Sequence, residues 1–257
     1  MKKILAFLMI AILSTVALAE GSLYAGIDPW GNPLSVTLEQ PNALSGVWNQ
    51  NFYGELFTQA FENGQDGFTL EGPLSKSDYN TCRYTGVMAL DGDNLIVTFI
   101  DGEMTTFSTE GGSTSYHVAA LEEAQRIVTL VPAIPCDYSG VTTLDTPAVE
   151  AFAAWIRQLY LYADWDSMAQ LIRYPITLYP NTVINDADAF TKFMADKFIT
   201  EADIEAMAAE NCVGMMSNGE GICMGSGQVW LSDIGFDGIE QTKEPELGII
   251  ALGGFAE

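Results

Sequence analysis

The chain has 257 residues, with 34 acids against 10 lysines and arginines and a formal net charge of −24. So negative a surface repels phosphate backbones and anionic bilayers, which argues against nucleic acid and charged membranes as partners. Four cysteines outside any Cys-x-x-Cys spacing and a single histidine, His117, do not make a Cys/His zinc centre, and neither a metal nor a cofactor is expected.

Residues 1–19 open with Lys2 and Lys3, continue through an apolar run from Ile4 to Val16, and end in Ala17-Leu18-Ala19. A basic start, an apolar stretch and a small-x-small site make an export signal. The run is shorter than the ~20 residues that span a bilayer. The expectation is cleavage after Ala19, a mature chain starting at Glu20, and a soluble protein exported to the periplasm or the medium, with no membrane insertion afterwards.

From 20 to 135 short runs of Thr, Val, Tyr and Phe alternate with turn signals such as "DPWGNP", "LDGDN" and "TEGGS". The clearest hairpin turns at Asp91-Gly92-Asp93-Asn94. Tyr84, Val87 and Met88 lie on one side of it. On the other, Leu95, Val97 and Phe99 alternate with Ile96 and Thr98. "YAGIDPWGNPLSVTL" and "YTGVMALDGDNLIVTF" echo each other at a spacing of about sixty residues. This half reads as an all-β domain, a small barrel or a sandwich. Residues 136–145 form a proline-flanked linker.

From 146 to 257 the period becomes helical. Thr146 is expected to cap a helix with Pro147 at its first position, and Val149, Phe152, Ile156, Leu159 and Tyr160 share one face. A short helix around 167–172 ends before Pro175. "ITLYPNTVIN" predicts a hairpin turning at Pro180-Asn181. Asn185 or Asp186 caps a third helix carrying Phe190, Phe193 and Met194. Thr200, with Asp203 three residues on, starts a fourth. Two or three strands close the chain, among them "GICMGSGQVWL", read as one bent strand with Val229 and Leu231 on one face and Trp230 on the other.

The order helix, short helix, hairpin, helix, strands resembles the NTF2-like, or cystatin-like, α+β cone. "RYPITL", "DADAFTKFMADKFITEADIEAM" and "GICMGSGQVWL" are similar to three patches of exported bacterial domains of that group, over about residues 146–252. Gly46-Val47-Trp48 is similar to the Gly-x-Trp opening of lipocalin-type barrels. The fold class expected is therefore α+β in two domains, with an all-β half followed by a curved sheet packed on helices. The resemblance implies a cone pocket, for which the candidate lining residues are Trp155, Tyr160, Arg173, Tyr174 and Trp230. Trp230 reads equally as core. Arg173 reads as an anion anchor at the pocket mouth or as an ion pair fixing a helix end. The resemblance also allows a homodimer through the sheet.

No catalytic residue is assigned. His117 has no Gly-x-Ser-x-Gly near it, and Asp164, Asp166, Asp186 and Asp188 stand where helix caps belong. An even cysteine count in an exported chain predicts disulfides, Cys82 with Cys136 and Cys212 with Cys223. The function expected is non-catalytic binding of a small molecule or a protein partner. An isomerase or hydratase using a pocket Asp, and a cell-surface interaction module, are the alternatives.

Overall fold

A computed structural model describes residues 21–40, 44–52, 55–64, 67–73, 81–110, 113–121, 126–178, 182–195, 197–234, 246–253 and 255–256. Residues 1–19, read above as an export signal, and Pro180-Asn181, where a hairpin turn is expected, lie outside the described residues. The chain divides into two compact units. One comprises the chain up to Ala25, Ser35–Asn49 and Phe57–Pro132; the other comprises Gly26–Leu34, Gln50–Leu56 and Ala133–Glu257.

The first unit is a near-closed antiparallel barrel. Its strands are β1 (Ser22–Ile27), β2 (Pro33–Gln40), β3 (Ser45–Phe52), β4 (Glu55–Glu62), β5 (Phe68–Pro73), β6 (Thr81–Asp91), β7 (Asn94–Glu110), β8 (Ser113–Ala120) and β9 (Ile127–Pro132). Eight of them follow one path, β4-β3-β2-β1-β9-β7-β6-β5, with β8 paired onto β7 beside it. The two ends of the path meet at an antiparallel bridge between Gly64 and Gly67. β7 pairs β6 along one edge and is long enough to serve two further partners along the other, β9 through Leu95–Thr98 and β8 through Glu103–Glu110.

Strand alternation sets the core. Leu95, Val97 and Phe99 are buried, while Ile96 and Thr98 between them are half-buried. On β6, Tyr84 and Met88 point in and Val87 is exposed, as alternation requires, while a register shift between Thr85 and Gly86 leaves the extra residue, Ile100, on β7. Trp48 is completely buried, with its ring 5.8 Å from that of Phe68, 6.2 Å from Tyr84 and 6.1 Å from Phe99. Tilted and edge-on contacts of this kind are the favoured aromatic geometries. The interior is therefore filled by side chains.

The second unit packs a mixed sheet against four helices, α1 (Thr146–Leu161), α2 (Trp165–Ala169), α3 (Ala187–Ala195) and α4 (Glu201–Ala209). The sheet strands are β10 (Ile176–Leu178), β11 (Thr182–Ile184), β13 (Met216–Asn218), β14 (Gly221–Met224), β15 (Val229–Asp233) and β16 (Leu247–Leu252), in the order β11-β10-β16-β15-β14-β13. β10 and β16 run parallel, and the other neighbours run antiparallel. Two short strands, β12 (Phe198–Ile199) and β17 (Phe255–Ala256), pair apart from it.

Each helix starts on a side-chain cap. Asp145, one residue earlier than expected, accepts the Ala148 N–H at 2.9 Å. Asp164 accepts from Ser167, Asp186 from Ala189, and Thr200 from Asp203. These side chains thus satisfy helix N–H groups that would otherwise lack partners.

Two expectations are corrected here. "GICMGSGQVWL" is two strands, β14 and β15, joined by a turn over Gly225–Gln228 in which Gly225 (φ 61) and Gly227 (φ 103) take left-handed backbone angles. The glycines serve the turn. A register shift between Trp230 and Leu231 bends the sheet one strand later. The second correction concerns the disulfides: Cys136, Cys212 and Cys223 are free thiols. Strand β13 pairs Met216 with Cys223 across a Gly219-Glu220 turn, so Cys212 falls before the ladder. There it is buried, in a left-handed conformation (φ 60). Cys136, the expected partner of Cys82, lies 3.3 Å from the Ser217 hydroxyl.

Candidate functional site

The segment "DPWGNP" folds back on the Asp28 side chain. Its Oδ1 accepts the backbone N–H of Trp30 at 2.8 Å and of Asn32 at 2.7 Å, and its Oδ2 accepts the Asn32 amide at 3.1 Å and the Gln50 amide. A short side chain that bonds its own backbone two residues on is the usual device for such a turn. Gly31 sits at φ 87, where a side chain would be strained. The carboxyl is buried, and burial pushes its pKa up to about 6 against the pull of these hydrogen bonds.

Facing this turn is one stripe of α1, in which Ala154, Arg157, Gln158 and Leu161 follow helical spacing. Arg157 is only 3% exposed. Its Nε donates to the Met207 carbonyl at 2.9 Å, Nη2 to the Ala208 carbonyl at 2.6 Å, and Nη1 to the Gly31 carbonyl at 2.7 Å. Met207 and Ala208 belong to the last turn of α4, whose carbonyls carry the negative end of the helix dipole, so the cation is well placed there. The guanidinium ties α1, α4 and the 28–33 turn together.

Between these elements lies a cleft of about 360 Å³. Ile27, Trp30 and Leu161 supply apolar wall, and Asn32, Asn51 and Arg157 are its buried polar residues. Asn51 is 7% exposed, and its Oδ1 has no hydrogen-bond partner. Burial lowers the pKa of Arg157, and the charges of Asp28 and Glu210 oppose that shift. The one ion pair found among the described residues, Arg83 with Glu71 at 3.9 Å, is exposed and lies elsewhere. A larger groove, about 680 Å³, lies against β2, β3 and β4 and is edged by the exposed Glu39 and Glu62. Its rim is solvated and carries no buried polar group awaiting a partner, so the smaller cleft is the better candidate site.

A second polar cluster holds the strap 210–215. The Glu210 carboxylate accepts the N–H of Cys212 and of Gly225, both at 2.9 Å. Asn211 accepts from Val213, Glu150 from Gly214, and the Tyr138 hydroxyl from Met215. Burial raises the Glu150 carboxyl to about 7 and also raises the Tyr138 hydroxyl and the Cys212 thiol. Four successive backbone donors are satisfied by side chains, and the strap itself is a structural element.

The residues singled out from the sequence stand apart from the cleft. Trp155 is half-buried on α1, its ring edge-on to Phe152 at 6.2 Å. Tyr160 is buried against Trp165, and its hydroxyl lacks a partner. Arg173 is exposed, and its backbone N–H donates to Ile249. Tyr174 is half-buried, with its hydroxyl donating to the Ala169 carbonyl at 3.0 Å. Trp230 is half-buried on the β15 face opposite Val229 and Leu231. The structure brings none of these five into the cleft wall. It brings in Trp30, Asn51 and Arg157, which the sequence reading passed over. One signal was available: Arg157 is among only ten cations and falls on the apolar stripe of α1, at i+4 from Ala153.

Comparison with protein-family models, with curated proteins and with solved structures finds no match to the chain. The architecture therefore rests on its own geometry: an antiparallel near-barrel and a mixed sheet packed against helices.

Proposed function

We propose that this chain is an exported, non-catalytic binding protein that holds a small molecule in the cleft between the 28–33 turn and α1. The observation that carries the reading is the pairing of Arg157 and Asn51 in one cleft. Among the described residues, one is a buried guanidinium with no carboxylate at ion-pair distance, and the other is a buried amide oxygen without a donor. Buried polar groups are normally satisfied, and each one left open costs free energy that a bound partner recovers. Apolar walls with a few convergent polar groups are the usual make-up of a ligand site.

The finer kinship is also a proposal. The NTF2-like reading of residues 146–252 is supported by the order α1, α2, the β10–β11 hairpin, α3, α4 and the closing strands. The lipocalin-type reading of Gly46-Val47-Trp48 is supported by the place of Trp48 at the centre of the barrel's aromatic cluster.

The test is native mass spectrometry on the full exported chain purified from its own host. A co-purifying small molecule that stays chemically unchanged on incubation is the expected result. Turnover of that molecule would favour the isomerase or hydratase alternative. A bare protein, with no thermal shift from any small-molecule panel, would overturn the binding reading.

A further inference from the structure

We propose that Asn218-Gly219, in the turn between β13 and β14, is a site of spontaneous covalent modification. The Gly219 nitrogen closes onto the Asn218 side chain, and the ring that forms opens to aspartate and isoaspartate. Two asparagines of the chain, Asn63 and Asn218, are followed by glycine. Glycine leaves the attacking backbone nitrogen uncrowded and the chain free to bring it round. The sequence therefore holds two equal candidates. The structure separates them.

At Asn218 each requirement of the reaction is met. Asn218, Gly219 and Glu220 are all exposed. The Glu220 backbone N–H donates to Asn218 Oδ1 at 2.7 Å, a bond by which asparagine commonly closes a turn. Here the bond has a chemical effect as well. Attack on Cγ moves negative charge onto Oδ1, and a donor already aimed at that oxygen stabilises the charge as it develops. The nucleophile is available, because no hydrogen bond to the Gly219 N–H is found among the described residues. Asn218 pairs with Gly221, so Gly219-Glu220 is a two-residue loop, yet neither residue has the positive φ of the favoured hairpin turns. β13 has only three residues and lies at the sheet edge, so little pairing resists movement of the turn.

At Asn63 the same requirements fail. Its carboxamide is held at both ends by Met88: Oδ1 accepts the Met88 N–H and Nδ2 donates to the Met88 carbonyl, both at 3.2 Å. The Gly64 N–H, which would have to attack, donates to the Gly67 carbonyl at 3.1 Å. These hydrogen bonds must open before the nucleophile meets its target, and each opening costs free energy.

The bond changes are those of an acyl transfer. Hydroxide removes the Gly219 amide proton, and the nitrogen bonds to Asn218 Cγ. The Cγ–Nδ2 bond breaks, and Nδ2 leaves as ammonia on taking a proton from water, which returns the hydroxide. Water then adds to one of the two carbonyls of the succinimide ring. Opening at Cγ restores the normal main chain with an aspartate. Opening at the backbone carbonyl routes the main chain through the side chain and inserts a methylene. Nothing is oxidised or reduced. Either product adds one carboxylate to a chain of net charge −24. The isoaspartate also lengthens the main chain at the last rung of the β13–β14 ladder, Asn218 with Gly221, and loosens that edge of the sheet.

The experiment incubates the full chain at mildly alkaline pH and samples it over days. Peptide mapping reads the mass gain of about one dalton at each Asn-Gly pair, and fragmentation distinguishes isoaspartate from aspartate. Conversion of Asn218 at least ten-fold faster than Asn63 is expected. In denaturant the two rates should converge to within about two-fold, because the bonds that protect Asn63 are gone. Gly219→Ala is the discriminating variant. A Cβ there meets nothing within 4 Å, so the fold is kept, while the methyl crowds the nitrogen. Conversion of Asn218 should then fall at least ten-fold. Equal rates at the two sites in the folded chain, or a ten-fold gap that persists in denaturant, overturns the proposal. So does conversion that is unchanged in Gly219→Ala, or a folded chain whose Asn218 is intact when the denatured chain has reacted.

Discussion

Both units bury an apolar core, but among the described residues only the second also buries charge. The barrel interior is aromatic and aliphatic, with Trp48, Phe68, Tyr84 and Phe99 in mutual contact. Of the nine buried polar or charged residues described, only Ser35, Gln50 and Asn51 lie on the barrel strands, and none of the three is charged. The rest, including Asp28, Arg157 and Asp233, lie outside the barrel strands. Apolar burial stabilises without asking for a partner. A buried charge needs several, and its removal from water is costly until they are all in place. The contrast marks the second unit as the one whose buried charges depend on a complete set of partners.

The sharpest way to break the comparison is to cut each interior once. Trp48→Ala should destabilise the barrel by about 4 kcal/mol, the range for deleting a large buried aromatic side chain. Equilibrium urea unfolding, read locally by hydrogen exchange in β3 and β7, checks it. A loss below about 1 kcal/mol would mean that the barrel does not rest on its aromatic cluster. Arg157→Met should cost the second unit about 3 kcal/mol, because three carbonyls lose charge-assisted donors while the apolar volume is kept. Loss of protection should spread through α1 and α4 and spare the barrel peptides. An Arg157→Met protein as stable as the parent would show that the staple contributes nothing.

Proton linkage sharpens the contrast further. Asp28 has its folded pKa raised from 3.8 to about 6. It therefore contributes stability that is full below the unfolded pKa and is lost as pH rises through about 6. Between pH 5 and pH 8 this amounts to a fall of about 1.4 kcal/mol. Glu150, raised to about 7, acts in the same direction at slightly higher pH. The second unit should thus be more stable at pH 5 than at pH 8, and Glu150→Gln should flatten the upper part of the slope. The barrel has no buried carboxylate among its described residues and should keep its exchange protection across that range. Equal stability of α1 at both pH values would count against the buried acids. The smallest effect expected is from Cys136→Ser, within about 0.5 kcal/mol, because a free thiol beside a serine is exchanged for a hydroxyl. A larger loss measured by denaturant unfolding would point to a covalent role for that sulfur.

Much of the scaffold was legible in the sequence, because two periodicities carry it. Leu95, Val97 and Phe99 gave a strand by alternation, and Val149, Ile156, Leu159 and Tyr160 gave the buried face of α1 by helical spacing. Asp164, Asp186 and Thr200 were recognisable as caps from their position ahead of apolar runs. Four things were harder to read. A glycine-rich stretch is compatible with a bent strand and with a turn, and only the backbone angles of Gly225 and Gly227 decide between them. Cysteine parity speaks to compartment, whereas bonding depends on register, and Met216 holds the position opposite Cys223. Arg157 faces inward against the usual meaning of a cation in a helical pattern, because its partners are carbonyls at residues 31, 207 and 208, far away in sequence. Trp30 was hidden for a related reason: a turn motif was read for its glycine and prolines, not for the aromatic ring it carries.

The pairing of β1 with β9 has a consequence for how the barrel comes into being. Tyr24 and Ala25 meet Pro132 and Val131, partners more than a hundred residues downstream. Closing a loop of that size costs chain entropy of about 4 kcal/mol before any contact repays it. The first strand must therefore wait until the last barrel strand exists, while hairpins such as β6–β7 zip locally and early. Folding should be slow for the size of the unit, as it is for topologies dominated by distant pairings. During that interval β1 is an open edge, available to a chaperone or to a second copy of the same strand.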